Sequence, residues 1–150
     1  MRHVTWLVVV LFTLVGCKED PNAAYLEFVG GGFIFNYRNA EAYYGFVAKP
    51  LRNLPEGSVI EAQFDIPHSA TPYVVSENVK PGMLQFSFRT PALKGVEKGH
   101  PYKAVMRLLA SPSGPEIAHY ERSFQSDFEQ AGLPEKPLVV GPGYQPNPNP

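Results

Sequence analysis

The sequence predicts an all-β domain, an antiparallel β-sandwich of about seven to eight strands, with a short C-terminal helical turn and a proline-rich tail. Three observations support this fold class. The 150 residues include 16 prolines and 13 glycines, which is high for a helical protein. Ten Phe and eight Tyr suit strands. Apolar and polar residues also alternate with a period of two between turn signals, as half-buried strands require.

Eight segments carry this strand pattern. They are residues 25–29, 33–37, 41–49, 60–66, 73–75, 83–89, 102–108 and 116–124. The clearest is 60–66, where Ile60, Ala62, Phe64 and Ile66 alternate with polar residues. Successive strand side chains point to opposite faces, so one face of this segment is predicted to be buried and the other solvated.

Glycines interrupt the first part of the strand pattern, and three apolar residues share a face in a later part. Gly30, Gly31 and Gly32 separate the first two segments, and we expect a flexible turn or a bulge there. A phosphate-binding loop is disfavoured because an apolar segment follows instead of a helix with a lysine. In the segment 83–89, strand alternation places Leu84 on one face with the two phenylalanines that follow it.

The C-terminal part of the chain no longer follows the strand pattern. Ser126 and Glu129 have the spacing of a capping box and Gly132 can end a helix, so residues 126–132 are predicted to form one or two helical turns. Residues 133–150 are rich in proline and are predicted to be an extended, largely disordered tail. An apolar segment at 138–140 is the part of the tail able to dock on the domain.

The first residues have the pattern of an export signal. A basic start at Arg2 precedes the uncharged apolar segment 4–15, and a small residue, Gly16, follows it. The apolar segment is shorter than the roughly 17–25 residues that a membrane-spanning helix needs. We therefore predict a cleaved leader at residues 1–16.

Leu14-Val15-Gly16-Cys17 resembles the bacterial lipobox. The resemblance implies that Cys17 receives diacylglycerol and that the precursor is cut before it, leaving residues 17–24 as a lipidated tether. Cys17 is the only cysteine, so acylation would leave no exposed reactive thiol. The alternatives are a buried Cys17 behind an ordinary signal, or an uncleaved apolar anchor. In a Gram-negative host, Lys18 after the lipidated residue favours the outer membrane, facing the periplasm.

The charge balance of the mature chain excludes one class of partner. Of the 13 Lys and Arg residues, Arg2 lies in the leader, which leaves 12 against 14 Asp and Glu. Nucleic-acid-binding domains carry a basic patch or stripe, so we expect no nucleic acid partner. By length, residues 25–132 form one domain.

The segment 96–106 resembles the approach to a late strand in fibronectin type III and other immunoglobulin-like domains. The resemblance implies that Tyr102, at the start of the strand, hydrogen-bonds back to the preceding corner. The cysteine pair and central tryptophan of antibody domains are absent, since the single tryptophan, Trp6, lies in the leader. The resemblance supports an immunoglobulin-like sandwich and says nothing about a ligand.

No motif for catalysis or metal binding stands out, so we predict no catalytic residues, metal or cofactor. His68, His100 and His119 are each isolated in sequence. Combined with Met83 and Met106 they allow a copper-handling alternative, because methionine suits cuprous ions. A hydrolase is the other alternative, since paired carboxylates far apart in sequence can converge in a fold. The acids Glu61 and Asp65 are instead predicted to lie on a solvated strand face.

The tyrosines offer one candidate surface. Tyr37, Tyr43 and Tyr44 form an aromatic cluster, and neighbours on a strand face opposite ways, so one of Tyr43 and Tyr44 should point outward. Exposed tyrosine is useful at protein and glycan contacts. The sequence thus predicts a lipid-anchored, non-enzymatic envelope module that binds a protein or glycan or serves structurally.

Overall fold

Nine β-strands and one 3₁₀ turn make up the computed structural model, which describes Asp20 and residues 22–150. The strands are β1 (Leu26–Asn36), β2 (Glu41–Pro50), β3 (Val59–Phe64), β4 (Tyr73–Asn78), β5 (Phe86–Arg89), β6 (Pro101–Leu109), β7 (Glu116–Gln125), β8 (Val139–Val140) and β9 (Gln145–Pro146). The predicted leader, Cys17 and three further residues of the predicted tether (18, 19 and 21) lie outside the described residues.

Seven of these strands form two antiparallel sheets that pack as a sandwich, as predicted. One sheet has the order β1-β2-β5 and the other the order β4-β3-β6-β7. The chain crosses between the sheets after β2, β4 and β5, as in the Greek-key connections of immunoglobulin-like domains. Whereas the fourth strand of a constant-type immunoglobulin domain joins the first sheet, β4 pairs with β3 in the second.

The core lies between the inward faces of the two sheets. On β2, Ala42, Tyr44, Phe46 and Ala48 are buried while the residues between them are not. On β3, Ile60, Ala62 and Phe64 are buried while Glu61 and Gln63 are half-buried, so the predicted alternation is confirmed. The period-two pattern of the sequence therefore specifies which face of each strand enters the core.

Tyr44 lies at the centre of this core. Its ring stacks on Phe33 with 4.7 Å between ring centroids and meets Phe64 edge-on at 5.2 Å. Its hydroxyl donates to the backbone oxygens of Asp65 at 2.8 Å and Lys103 at 3.2 Å. Asp65 directly follows β3 and Lys103 lies in β6, so both oxygens belong to the other sheet. Burial raises the pKa of Tyr44 and the Asp65 carboxylate raises it further, so the phenol stays protonated.

Tyr102, at the start of β6, also joins its hydroxyl to the backbone, but within one connection of the chain. Its hydroxyl accepts a hydrogen bond from the backbone N–H of Glu97 at 2.9 Å. Its ring is buried and lies edge-on to Phe33, with 5.3 Å between centroids. The contact closes the connection that leads from β5 into β6, at the position where the sequence predicts it.

The glycine segment departs from the turn that the sequence allows. Gly30, Gly31 and Gly32 lie inside one continuous strand, β1, and each pairs with a residue of β2. The alternative prediction, a bulge, is found just before them, because the register shifts between Phe28 and Gly30. The glycines stay in the strand because ten paired positions along β2 hold the backbone extended.

The segment after Pro81 also differs from its prediction. β5 begins only at Phe86, and Leu84 is 82% exposed instead of sharing the buried face of Phe86 and Phe88. β5 pairs with β2 over four positions. Residues 83–85 therefore pair with no strand of the described chain and belong to the connection between β4 and β5.

The C-terminal helix is smaller than predicted and is not capped as predicted. It is a single 3₁₀ turn, Gln130–Gly132, whose N-cap residue is Glu129 and which has no side-chain cap. The Ser126 hydroxyl donates to the Phe128 oxygen, while the Glu129 carboxylate accepts from the Lys98 N–H at 2.7 Å. Both capping-box side chains thus bind loop backbone outside the turn.

The tail contains a small hairpin where the sequence predicts an extended segment. β8 and β9 pair with each other, and the backbone N–H of Leu138 donates to the Arg38 oxygen at 2.7 Å. The apolar segment 138–140 therefore contacts the domain, as does Leu133 at the start of the tail, which packs against the core.

The loops collect at two ends of the sandwich. The entry end, where the chain enters β1, carries the connections 51–58, 79–85 and 110–115. The far end carries the connections 37–40, 65–72 and 90–100 and the 3₁₀ turn.

Candidate functional site

The structure separates the three tyrosines that the sequence groups together. Tyr44 is buried in the core, so its assignment to a binding surface is wrong. Tyr43 lies on the outer face of β2, which confirms that one of the neighbouring pair points outward. Tyr37 is 50% exposed but lies in the turn after β1, where Asn36 accepts hydrogen bonds from the N–H groups of Arg38 and Asn39. Of the three, only Tyr43 lines a cavity on this sheet face.

That cavity, which we call the glycine groove, crosses the outer face of the three-stranded sheet. Its volume is about 400 Å³. The walls and floor include Ile34, Tyr43, Gly45, Val47 and Arg89. It is open along one side, where no strand of the described residues pairs with the outer edge of β1.

The register of the strands explains why a groove forms here. Gly32 of β1 lies opposite Gly45 of β2, so this cross-strand pair adds no side chain to the outer face. The pair Ile34 and Tyr43 rises on one side of this bare strip. On the other side, Val47 of β2 lies opposite Ser87 of β5. Cross-strand neighbours on one face stand about 5 Å apart, so the two pairs form ridges on either side of a glycine floor.

Gly45 cannot be replaced without moving the neighbouring strand. A Cβ at this position would overlap the backbone oxygen of Phe88 and lie 2.8 Å from the Cβ of Arg89. At Gly30, by contrast, a Cβ would meet no atom within 4 Å. A glycine inside a strand commonly marks such a close approach of another backbone.

Arg89 provides the charge of the groove. It lies opposite Gly45, and its guanidinium carbon is 5.1 Å from the centroid of the Tyr43 ring. A cation over an aromatic face at this distance is attracted to it. No ion pair of Arg89 occurs among the residues that the structure describes. The groove thus combines an apolar wall, a flat backbone floor and one cation.

Two residues of the groove, Gly45 and Arg89, are not among the predicted site residues, although the sequence contains a signal for each. Gly45 interrupts a strand of large residues, which indicates a close approach. Arg89 follows the buried Phe88, so strand alternation places it on the outer face. What the sequence does not indicate is that these two residues lie opposite each other, because that depends on the register of β2 and β5.

A chain of ion pairs covers the outer face of the other sheet. Arg107 of β6 contacts Glu61 of β3 and lies 3.5 Å from Glu116. The ring of His119 contacts Glu116 at 3.4 Å and Glu121 at 3.1 Å. Lys103 extends the chain, 3.6 Å from Glu121. Each acid therefore has a basic partner, which suits a solvated stabilising network.

These contacts shift the protonation equilibria of the network. Burial acts to raise the pKa of Glu61, but hydrogen bonds from Gln63 and Arg107 outweigh it and the pKa is lowered. The hydrogen bond to Glu121, helped by Glu116, raises the pKa of His119. In turn, His119 and then Lys103 lower the pKa of Glu121. All three shifts favour the charged forms.

The residues of the copper alternative are dispersed. His68 and His100 line a cavity of about 410 Å³ at the far end, with Glu97, whose carboxylate is 4.0 Å from the His68 ring. His119 lies in the ion-pair network, and Met106 is buried in the core. Within residues 20 and 22–150, no three His, Asp or Glu side chains are grouped so that they could hold a metal ion.

Comparisons with protein-family models, with curated proteins and with solved structures gave no match. In the described part of the chain, no helix has the length and apolar character to cross a membrane.

Proposed function

We propose that this protein is a lipid-anchored, non-enzymatic module of the bacterial envelope that binds a partner protein or glycan in the glycine groove. The anchor is the diacylglycerol that the sequence Leu14-Val15-Gly16-Cys17 predicts on Cys17. The glycine groove is the observation that supports the binding role. Attachment to a membrane confines the module near its partner and raises their effective concentration.

The chemistry of the groove favours a flat or extended partner segment with an acidic group. A bare strip between two ridges admits a segment one residue or one sugar ring wide, and the side that opens at β1 imposes no limit on its length. Tyr43 offers a ring face to a sugar or an apolar side chain. Arg89 is suited to a carboxylate, because a guanidinium can donate two parallel hydrogen bonds to it.

The test is cross-linking followed by affinity purification from native membranes, with a tag placed behind residue 150. The wild-type protein is compared with Cys17→Ala, with Arg89→Glu and with Tyr43→Ser. Tyr144→Ser serves as the matched control, because Tyr144 is a 62% exposed tyrosine of the tail and does not line the groove. Circular dichroism confirms that each variant is folded.

A stoichiometric protein or glycan that is retained by Tyr144→Ser and lost from Arg89→Glu and Tyr43→Ser supports the groove. Loss of membrane attachment in Cys17→Ala supports the anchor. A partner captured equally by every variant would remove the groove from the proposal. Wild-type protein that carries no acyl chain on Cys17 by mass spectrometry would remove the anchor.

A further inference from the structure

The entry end of the sandwich carries Leu84, the most exposed large apolar side chain of the described residues. Leu84 is 82% exposed and Leu51 is 49% exposed. Both line a cavity of about 850 Å³ between the connections 51–58 and 79–85, together with the half-buried Met83. Scattered exposed leucines need no explanation, but exposed apolar side chains that share one cavity, as Leu51 and Leu84 do, form a candidate contact surface.

Basic side chains surround this apolar rim. Lys49, Arg52 and Lys80 line the same cavity, and Glu56 is the one acid among its lining residues. Lysine and arginine place their charges at a headgroup layer while their aliphatic parts cover apolar surface. Apolar side chains flanked by basic ones are the pattern of surfaces that lie against anionic lipid.

The N-terminal segment joins the domain at this same end. The Arg52 guanidinium donates to the backbone oxygens of Asp20 at 3.3 Å and Ala23 at 3.2 Å. Its carbon also lies 4.5 Å from the centroid of the Tyr25 ring. The segment is thus held against the connection 51–58 before β1 begins.

The distance from this attachment to the predicted lipid is short. Asp20 is three residues after Cys17 in the sequence, and a fully extended chain spans about 10 Å over three residues. A lipid on Cys17 therefore holds the entry end within about 10 Å of the headgroups. No other loop group of the sandwich is within that reach, because the far end is a strand length away.

We propose that the entry end lies on the membrane surface, with Leu51 and Leu84 in the headgroup layer and Lys49 and Lys80 against anionic phospholipid. This inference rests on the proposed acylation of Cys17. It also deepens the proposed function, because an upright sandwich presents the glycine groove sideways, above the lipid, where a partner in the same envelope layer can reach it.

The test uses the full acylated protein in vesicles of phosphatidylethanolamine and phosphatidylglycerol that contain nitroxide-labelled lipid. Cys17 is the only natural cysteine, so Leu84→Cys introduces one labelling site for an environment-sensitive fluorophore. Ala92→Cys is the matched control, since Ala92 is also exposed but lies in the connection 90–100 of the far end. Both sites are exposed, so neither substitution disturbs the core.

The expected result is a blue shift and strong quenching of the label at position 84, with neither at position 92. Replacing both Lys49 and Lys80 by glutamate should reduce the quenching at position 84, and the reduction should disappear in vesicles of phosphatidylcholine alone. Acylated, vesicle-bound protein whose two labels behave alike overturns this inference and leaves the anchor intact. Protein without acyl chains, which fails to bind vesicles, overturns the anchor and this inference together.

Discussion

The hydroxyl of Tyr44 donates a hydrogen bond to the backbone oxygen of Asp65 across the core, 2.8 Å away. Tyr44 belongs to β2 of one sheet, and Asp65 directly follows β3 of the other. The same hydroxyl also reaches the oxygen of Lys103, in β6. One side chain therefore fixes the separation of the sheets and the alignment of two neighbouring strands.

We expect Tyr44→Phe to lower the free energy of unfolding by about 1 kcal/mol, the typical contribution of a hydrogen bond. Tyr44→Ala should cost about 3–5 kcal/mol, because it also leaves a cavity among the core rings. Tyr43→Phe, on the outer face, should stay within about 0.5 kcal/mol of the wild type. Urea denaturation followed by fluorescence or circular dichroism measures all three, and equal stability of Tyr44→Phe and wild type would contradict the role of the hydroxyl.

We expect Gly45→Ala to destabilise the domain by about 2 kcal/mol or more, because the new methyl group forces β2 away from β5. Gly30→Ala is the control, since its Cβ meets open space. It should change stability by no more than about 0.5 kcal/mol. Thermal unfolding of both variants checks this, and similar melting temperatures would show that β5 moves aside without cost.

We expect Arg107→Leu to cost about 1 kcal/mol at neutral pH, because the Glu61 carboxylate then keeps only its Gln63 hydrogen bond. The pKa of Glu61 is lowered in the folded protein, so its contribution is complete above the ordinary value of 4.5 and is lost as the pH falls through the folded pKa. The cost of the substitution should therefore shrink below that pH. Denaturation at neutral and acidic pH measures the difference, with Lys94→Leu as the control at an exposed site.

We expect the contribution of His119 to have the opposite pH dependence. Its pKa is raised in the folded protein, so the stabilisation is complete below the ordinary value of 6.5 and is lost as the pH rises through the folded pKa. Because the side chain is 44% exposed, solvent screening limits the effect to about 0.5 kcal/mol. His119→Gln should thus be destabilising at pH near 6 and neutral at pH 8, and NMR titration of the ring gives the pKa directly. A pKa at or below 6.5 would contradict the assigned contacts.

The parts of the fold that could be predicted from the sequence are those in which local pattern and tertiary burial agree. In β3, buried apolar and half-buried polar residues alternate as the sequence indicates. The position of Leu84 could not be predicted in this way, because its exposure depends on where pairing with β2 ends. The capping box at Ser126 failed for a related reason, since Glu129 finds the Lys98 N–H in a different loop.

In the candidate site, too, the local pattern predicts part of the arrangement and the tertiary contacts decide the rest. Alternation predicts that one of Tyr43 and Tyr44 is exposed but does not choose between them. The choice is made by the core, where only Tyr44 has Asp65 and Lys103 oxygens within reach of its hydroxyl. The pairing of Gly45 with Arg89 depends on strands separated by some forty residues of chain, so no local pattern contains it.

The placement of the first and last core strands has a mechanical consequence. β1 begins at the entry end and β7 finishes at the far end, so a molecule held by its N-terminus and pulled by its tail is stretched along its strands. The hydrogen bonds between β1 and β2 lie perpendicular to that direction. The load therefore acts on all ten paired positions of this ladder at once, in shear. A load perpendicular to the strands would instead break the pairs one after another. The sandwich is therefore arranged to resist tension applied between its N-terminus and its tail.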